Sequence, residues 1–115
     1  RLNDLEMDSK PIEAYPAPPM LGTDSIIPIT DSKELRLEGR MQHHCVAGYH
    51  NDVLAEKYFV YKVLVPERAT VGIKINGEKR CTIDQIKMRY NKTPSSDTVS
   101  HIEKWWANCS KERWV

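Results

Sequence analysis

Cysteine is scarce: the 115 residues hold three, Cys45, Cys81 and Cys109. An odd number at wide spacings does not build a disulfide framework. All three sit among apolar residues, which predicts buried free thiols and a reducing, cytoplasmic compartment. Long hydrophobic runs are missing too. No apolar stretch approaches the roughly 20 residues of a membrane span, so no membrane partner is expected. There is no charged-then-apolar leader pattern, no internal repeat and no low-complexity tract. Excess charge of one sign is also lacking, with a formal net charge of +1. The length allows one domain and a core that needs neither disulfide nor metal. Because the chain begins at Arg1 rather than Met, it is expected to be part of a longer protein.

What charge there is lies unevenly. Residues 1–34 carry seven acidic side chains against three basic ones, a net of −4. Residues 67–92 carry seven basic side chains (Arg68, Lys74, Lys79, Arg80, Lys87, Arg89 and Lys92) against three acidic ones, a net of +4. A basic segment attracts phosphates; it also describes a solvated sheet edge guarded by lysines.

Residues 1–28 are rich in proline (Pro11, Pro16, Pro18, Pro19 and Pro28). They predict an extended arm laid across the domain and anchored by Ile12, Tyr15, Met20 and Ile26 or Ile27. Residues 29–115 then form a single α+β domain. Asp31 followed by Glu34 resembles a capping box and starts a helix with Leu35, Leu37 and Met41 on its apolar stripe. Gly39 is placed to end it, and a second helix is expected from about His43 to Ala55. Three antiparallel strands follow, Tyr58 to Val65, Arg68 to Ile75 and Glu78 to Met88, with Asn76-Gly77 as a turn signal. A three-residue loop over Asn76, Gly77 and Glu78 would pair Ile73 with Cys81, Val71 with Ile83 and Ala69 with Gln85. That register matches apolar to apolar and leaves Gln85 on the apolar face. After a loop from Tyr90, a C-terminal helix starts near Ser96, with Val99, Ile102, Trp106 and Cys109 as its buried stripe and Trp105 beside it. The expected architecture is thus an N-terminal extended arm, helical segments, a three-stranded antiparallel sheet and a C-terminal helix.

Four blocks in order carry a resemblance. They are Asp31 to Tyr49 (DSKELRLEGRMQHHCVAGY), Pro66 to Val71 (PERATV), Ile83 to Ile86 (IDQI) and Asn91 to Ser95 (NKTPS). Together they resemble the PcfJ-like family, whose pattern is an EGxxMxHCV…Y block, an RAT strand, a Q-I/L strand and an N…P loop before a last helix. The matching positions are Glu38, Gly39, Met41, His44, Cys45, Val46, Tyr49, Arg68, Thr70, Gln85 and Asn91, and the resemblance spans about residues 28–107. It implies a protein of conjugative plasmids or other mobile elements, with the domain C-terminal to other sequence. It implies no particular reaction. The block holds both His43 and His44; alignment to Cys45 selects His44.

The chemistry open to these residues is acid–base and phosphate chemistry. On the predicted register His44, Tyr49, Arg68, Gln85 and Asn91 converge at one end of the sheet. His44 would be a general base titrating near neutral pH, Arg68 a bidentate phosphate ligand, and Gln85 and Asn91 amide donors. His43, Lys87 and Arg89 would contact substrate. This is close to the equipment of a metal-independent nuclease, except that the second acid is not singled out among His43, Tyr49, His50 and His101. The alternative is that the group is structural, in a non-catalytic nucleic-acid-binding or protein-interaction module. A Cys45 nucleophile is disfavoured because neighbours on a helix do not point at each other. Zinc is disfavoured because His43, His44, Cys45 and His50 are too few and oddly spaced. No cofactor or metal is called for. The partners that remain are nucleic acid, RNA or DNA, or another protein. Trp105 is the member of the tryptophan pair free to stack on bases, Trp106 being assigned to the core.

Overall fold

The computed structural model describes residues 11–43, 46–76 and 80–113, with side chains as far as Asn108. Among the described residues the order is β1 (Ile26–Pro28), α1 (Ser32–Gln42), a 3₁₀ turn (Val46–Tyr49), α2 (His50–Leu54), β2 (Tyr58–Val63), β3 (Ala69–Ile75), β4 (Cys81–Lys87), a second 3₁₀ turn (Arg89–Asn91) and α3 (Ser96–Arg113). The fold is α+β, as the alternation of patterns predicts. The sheet has four antiparallel strands rather than three, in the order β1-β2-β3-β4. The extra strand comes from the arm, where Ile26 pairs with Val63 and Pro28 with Tyr61. Proline has no N–H to give a ladder, and an edge strand is where a sheet tolerates one. Of the expected anchors Met20 and Ile26 are fully buried and Tyr15 is half-buried, whereas Ile12 is exposed.

Strand parity divides the core. Odd-numbered residues of β2 and β3 (Phe59, Tyr61, Val63, Ala69, Val71 and Ile73) face α3 and the arm. Tyr61 meets Trp105 edge-on with ring centroids 4.8 Å apart, and its hydroxyl donates to the Met20 carbonyl at 2.7 Å. Even-numbered residues face α1 and the first 3₁₀ turn: Lys62 lies 3.8 Å from Glu34, Thr70 bonds Glu38, and Tyr58 stacks on Tyr49. On α3 the buried positions are Thr98, Ile102 and Trp105, so Trp105 is the core tryptophan and Trp106 is only half-buried. The spacings i, i+4 and i+7 suit this stripe as well as the expected one; partner geometry decides between them. The Cys109 side chain and Trp114 lie outside the described residues, and Cys81 is half-buried.

The N-terminal cap of α1 forms as expected. The Asp31 carboxylate accepts from the Glu34 N–H at 2.8 Å. Glu34 reaches back one residue further than a standard box, accepting from the N–H and hydroxyl of Thr30 at 3.1 and 3.0 Å. Gly39 does not end the helix. His43 does, with a left-handed backbone (φ 52°) and its N–H on the Gly39 carbonyl. The buried face is Ser32, Leu35, Glu38, Gly39 and Gln42, while Met41 is 59% exposed. A stripe built on Leu37 and Met41 is therefore corrected: the helix turns a largely polar face to the sheet because Arg68 and Thr70 are there to receive Glu38. The expected second helix is broken into the 3₁₀ turn and α2.

The β3–β4 register also differs from expectation. Ile75 pairs with Cys81 and Ile73 with Ile83, across a connection closed by the Asn76 N–H on the Arg80 carbonyl at 2.7 Å. Gly77 to Lys79 within it lie outside the described residues. A bulge then inserts Asp84, so that Gly72 pairs with Gln85 and Val71 with Ile86. Two-against-one pairing reverses the facing of everything beyond it. Gln85 thus leaves the apolar face and points to the side that carries Tyr49 and Tyr58. Periodicity alone could not locate the inserted residue.

Candidate functional site

The bulge creates a pocket. Val46, Tyr49, Thr70, Gly72, Gln85, Lys87 and Asn91 line a cavity of about 110 Å³ on the even face of β3 and β4. Four residues singled out in the sequence, Tyr49, Gln85, Lys87 and Asn91, therefore do converge. They do so through a register other than the expected one.

One wall is aromatic. Tyr49 lies flat on Tyr58, with centroids 4.0 Å apart and planes 5° off parallel. The Gln85 Nε2 donates to the Tyr58 and Tyr49 hydroxyls at 3.2 and 3.4 Å. The Tyr58 hydroxyl in turn donates to Asp84 Oδ2 at 2.9 Å. Burial first, and the bond to Asp84 second, push the Tyr58 phenol far above its ordinary range, so it stays a donor. Gly72 is the floor: a Cβ there would lie 1.9 Å from the Tyr58 hydroxyl oxygen.

Arg68 is engaged elsewhere. Its Nη1 donates to Glu38 Oε2 and to the Ala69 carbonyl, each at 2.9 Å, and its Nη2 pairs with Glu38 Oε1. Glu38 is 3% exposed and also accepts from the Thr70 hydroxyl. Arg68 thus supports the pocket from behind through Glu38 and Thr70 and does not line it. A fork-to-fork guanidinium–carboxylate pair of this kind holds both groups in one orientation. Glu38 stands in the EG block, but its partners are 30 and 32 residues away in the chain, and no spacing rule reaches that far.

The rim is built by His43 and the second 3₁₀ turn. The His43 and Tyr90 rings stack with centroids 4.5 Å apart and planes 12° off parallel. Arg89 Nη2 donates to His43 Nε2 at 3.1 Å, which assigns the His43 proton to Nδ1. The Arg89 guanidinium is 5.4 Å from the Tyr90 centroid. Lys87 and Asn91 make no side-chain hydrogen bond or ion pair among the described residues.

His44 and Cys45 lie outside the described residues. The other histidines serve elsewhere. His50 bridges the Tyr15 hydroxyl (2.8 Å) and Glu13 (2.9 Å), which fastens the arm to α2. His101 bonds the Ser25 hydroxyl at 2.8 Å, tying α3 to the segment before β1. No group of three or more His, Cys, Asp or Glu side chains suited to a metal occurs among the described residues. No helix among them is long and apolar enough to cross a membrane.

No curated protein and no solved structure matches the chain. The family described as PcfJ-like protein matches residues 19–103, a span that holds every described residue lining the pocket. With that match over most of its length, the chain belongs to the PcfJ-like protein family.

Proposed function

We propose that this domain is a nucleic-acid-associated module of a bacterial mobile-element protein, plasmid or phage, working in the cytoplasm, and that the pocket face makes the contact. The observation that carries the proposal is the pair of unengaged polar groups in the pocket, Lys87 and Asn91, beside the exposed Arg89. An unengaged lysine beside the Asn91 amide, with an Arg89 guanidinium that bonds His43 and, among the described residues, pairs with no carboxylate, suits phosphate and base contact. The engaged pair Arg68–Glu38 suits support and not ligand binding. The test is an electrophoretic mobility shift with labelled RNA and DNA. Lys87→Ala and Arg89→Ala are each expected to weaken binding and to lower the slope of log affinity against log salt by about one. Unchanged binding in both variants would end the assignment to this face.

A second reading adds a reaction: metal-independent phosphodiester cleavage with His44 as general base. Its support is the chemistry of the side chain, an imidazole suited to proton transfer near neutral pH. In this reading His44→Ala abolishes cleavage of labelled RNA or DNA in the presence of a chelator while binding persists. If the unaltered protein yields no product, the module is non-catalytic.

A further inference from the structure

The rim holds one residue, Tyr90, in a conformation that its packing does not explain. Among the described residues four non-glycine residues have positive φ, and three of them, His43 (52°), Tyr90 (59°) and Asn91 (60°), are at this rim. His43 ends α1, where a left-handed residue is ordinary, and asparagine adopts this conformation readily, but it costs Tyr90 about 1 kcal/mol or more. Such strain persists where the surroundings hold it, yet Tyr90 is 59% exposed. The turn is held in place, with the Met88 N–H on the Lys92 carbonyl at 2.8 Å and the Lys92 N–H on the Arg89 carbonyl at 3.4 Å. The outcome is an aromatic ring presented to solvent, backed by an imidazole on one face and fixed there.

A ring that is 59% exposed although His43 stacks on it and the Arg89 guanidinium lies 5.4 Å from its centroid offers a stacking surface to a base. The cations in and beside the turn, among the described residues, are Arg89 in it, Lys87 in the pocket and Lys92 at its end. Three cations can follow a short stretch of one backbone and are few for a duplex, whose affinity rests on many phosphate contacts. The bases of a duplex are also stacked on one another, leaving no face for Tyr90.

Building on the nucleic-acid reading above, we infer that the site takes single-stranded nucleic acid, with one unpaired base stacked on the Tyr90 ring and the adjoining phosphate against Lys87 and Arg89. The sugar is not discriminated by any contact named here, so RNA and DNA single strands are both ligands. His43 acts as a positioning residue, since it holds the ring and does not meet the strand.

The test uses fluorescence anisotropy with a fluorescein-labelled ten-nucleotide single strand of mixed sequence, as DNA and as RNA. A DNA duplex of the same sequence and a single strand made entirely of abasic sites complete the set. The single strand is expected to bind about tenfold tighter than either, one stacked base being worth roughly that factor. Tyr90→Gly keeps the left-handed turn without strain and removes the ring; it should bind about tenfold more weakly with the salt slope unchanged, while Tyr90→Trp retains affinity. Equal binding of duplex and single strand, or full affinity in Tyr90→Gly, would overturn the inference and leave the nucleic-acid module standing. If no oligonucleotide binds the unaltered protein, both fall together.

Discussion

Single residues decide the site, and the most consequential is one whose role spacing did not reveal. Glu38 is buried with Arg68 and Thr70 as its partners. Removing one member of a buried pair leaves the other charge uncompensated, typically at about 3–5 kcal/mol. Because the Arg68 side chain is 32% exposed, Glu38→Ala should cost about 3 kcal/mol, the lower end of that range, in urea unfolding. A cost under about 1 kcal/mol would mark the pair as ornamental. Gly72 is the second case. Gly72→Ala drives a methyl group into the Tyr58 phenol, and overpacking of this sort costs about 1–3 kcal/mol. The penalty should shrink in a Tyr58→Ala background, where the obstruction is gone; additive losses would show that the two do not touch. Of the set expected to converge, Tyr49, Gln85 and Asn91 do line one pocket, on another register, while Arg68 stands behind it and His44 lies outside the described residues. The function of Glu38 was not legible in the sequence, because an ion pair across 30 residues leaves no periodic trace.

At the scale of elements, boundaries set by local chemistry were readable and those set by tertiary contact were not. The Asp31 cap, the start of β2 at Tyr58 and the start of α3 at Ser96 fall where their residues place them. The bulge at Asp84 and the recruitment of Ile26–Pro28 to the sheet depend on what lies opposite. Helix ends give two tests. After α2 the Lys57 N–H bonds the Asp52 carbonyl at 2.8 Å and the Glu56 N–H the Val53 carbonyl at 3.0 Å. This is a Schellman end with Glu56, at φ 60°, in the position that favours glycine. Glu56→Gly should raise stability by about 1 kcal/mol, read as a higher denaturant midpoint; a fall would contradict the cap assignment.

At the start of α3, Glu67 accepts from the Thr98 hydroxyl (2.5 Å) and from the N–H and hydroxyl of Ser95 (2.9 and 2.8 Å). These bonds, that of Thr98 foremost, hold its carboxyl below the ordinary carboxylate value. A depressed value means stabilisation that is present above the unfolded-state pKa and lost as pH falls through the folded one. Glu67→Gln should therefore be less stable than the parent at neutral pH and converge with it in acid. A gap that persists unchanged at about pH 3 would sink this attribution.

Among the described residues, helices pack on both faces of one four-stranded sheet, and the pocket opens on the face that carries the first 3₁₀ turn. The opposite face, with Tyr61, Ile102 and Trp105, is apolar packing; putting Trp105 there removes it from the ligand-binding candidates. Near-zero net charge means that any nucleic-acid affinity must come from the local arrangement at the pocket and its rim, since no large general field draws phosphates in. The most direct test of that claim is an amide-resolved NMR titration with a short mixed-sequence single strand, following backbone signals and the side-chain NH₂ groups of Gln85 and Asn91. The account predicts shifts confined to His43, Tyr49, Thr70, Gly72 and residues 85–92. Shifts centred on α3 or the arm, or none at saturating strand, would contradict it.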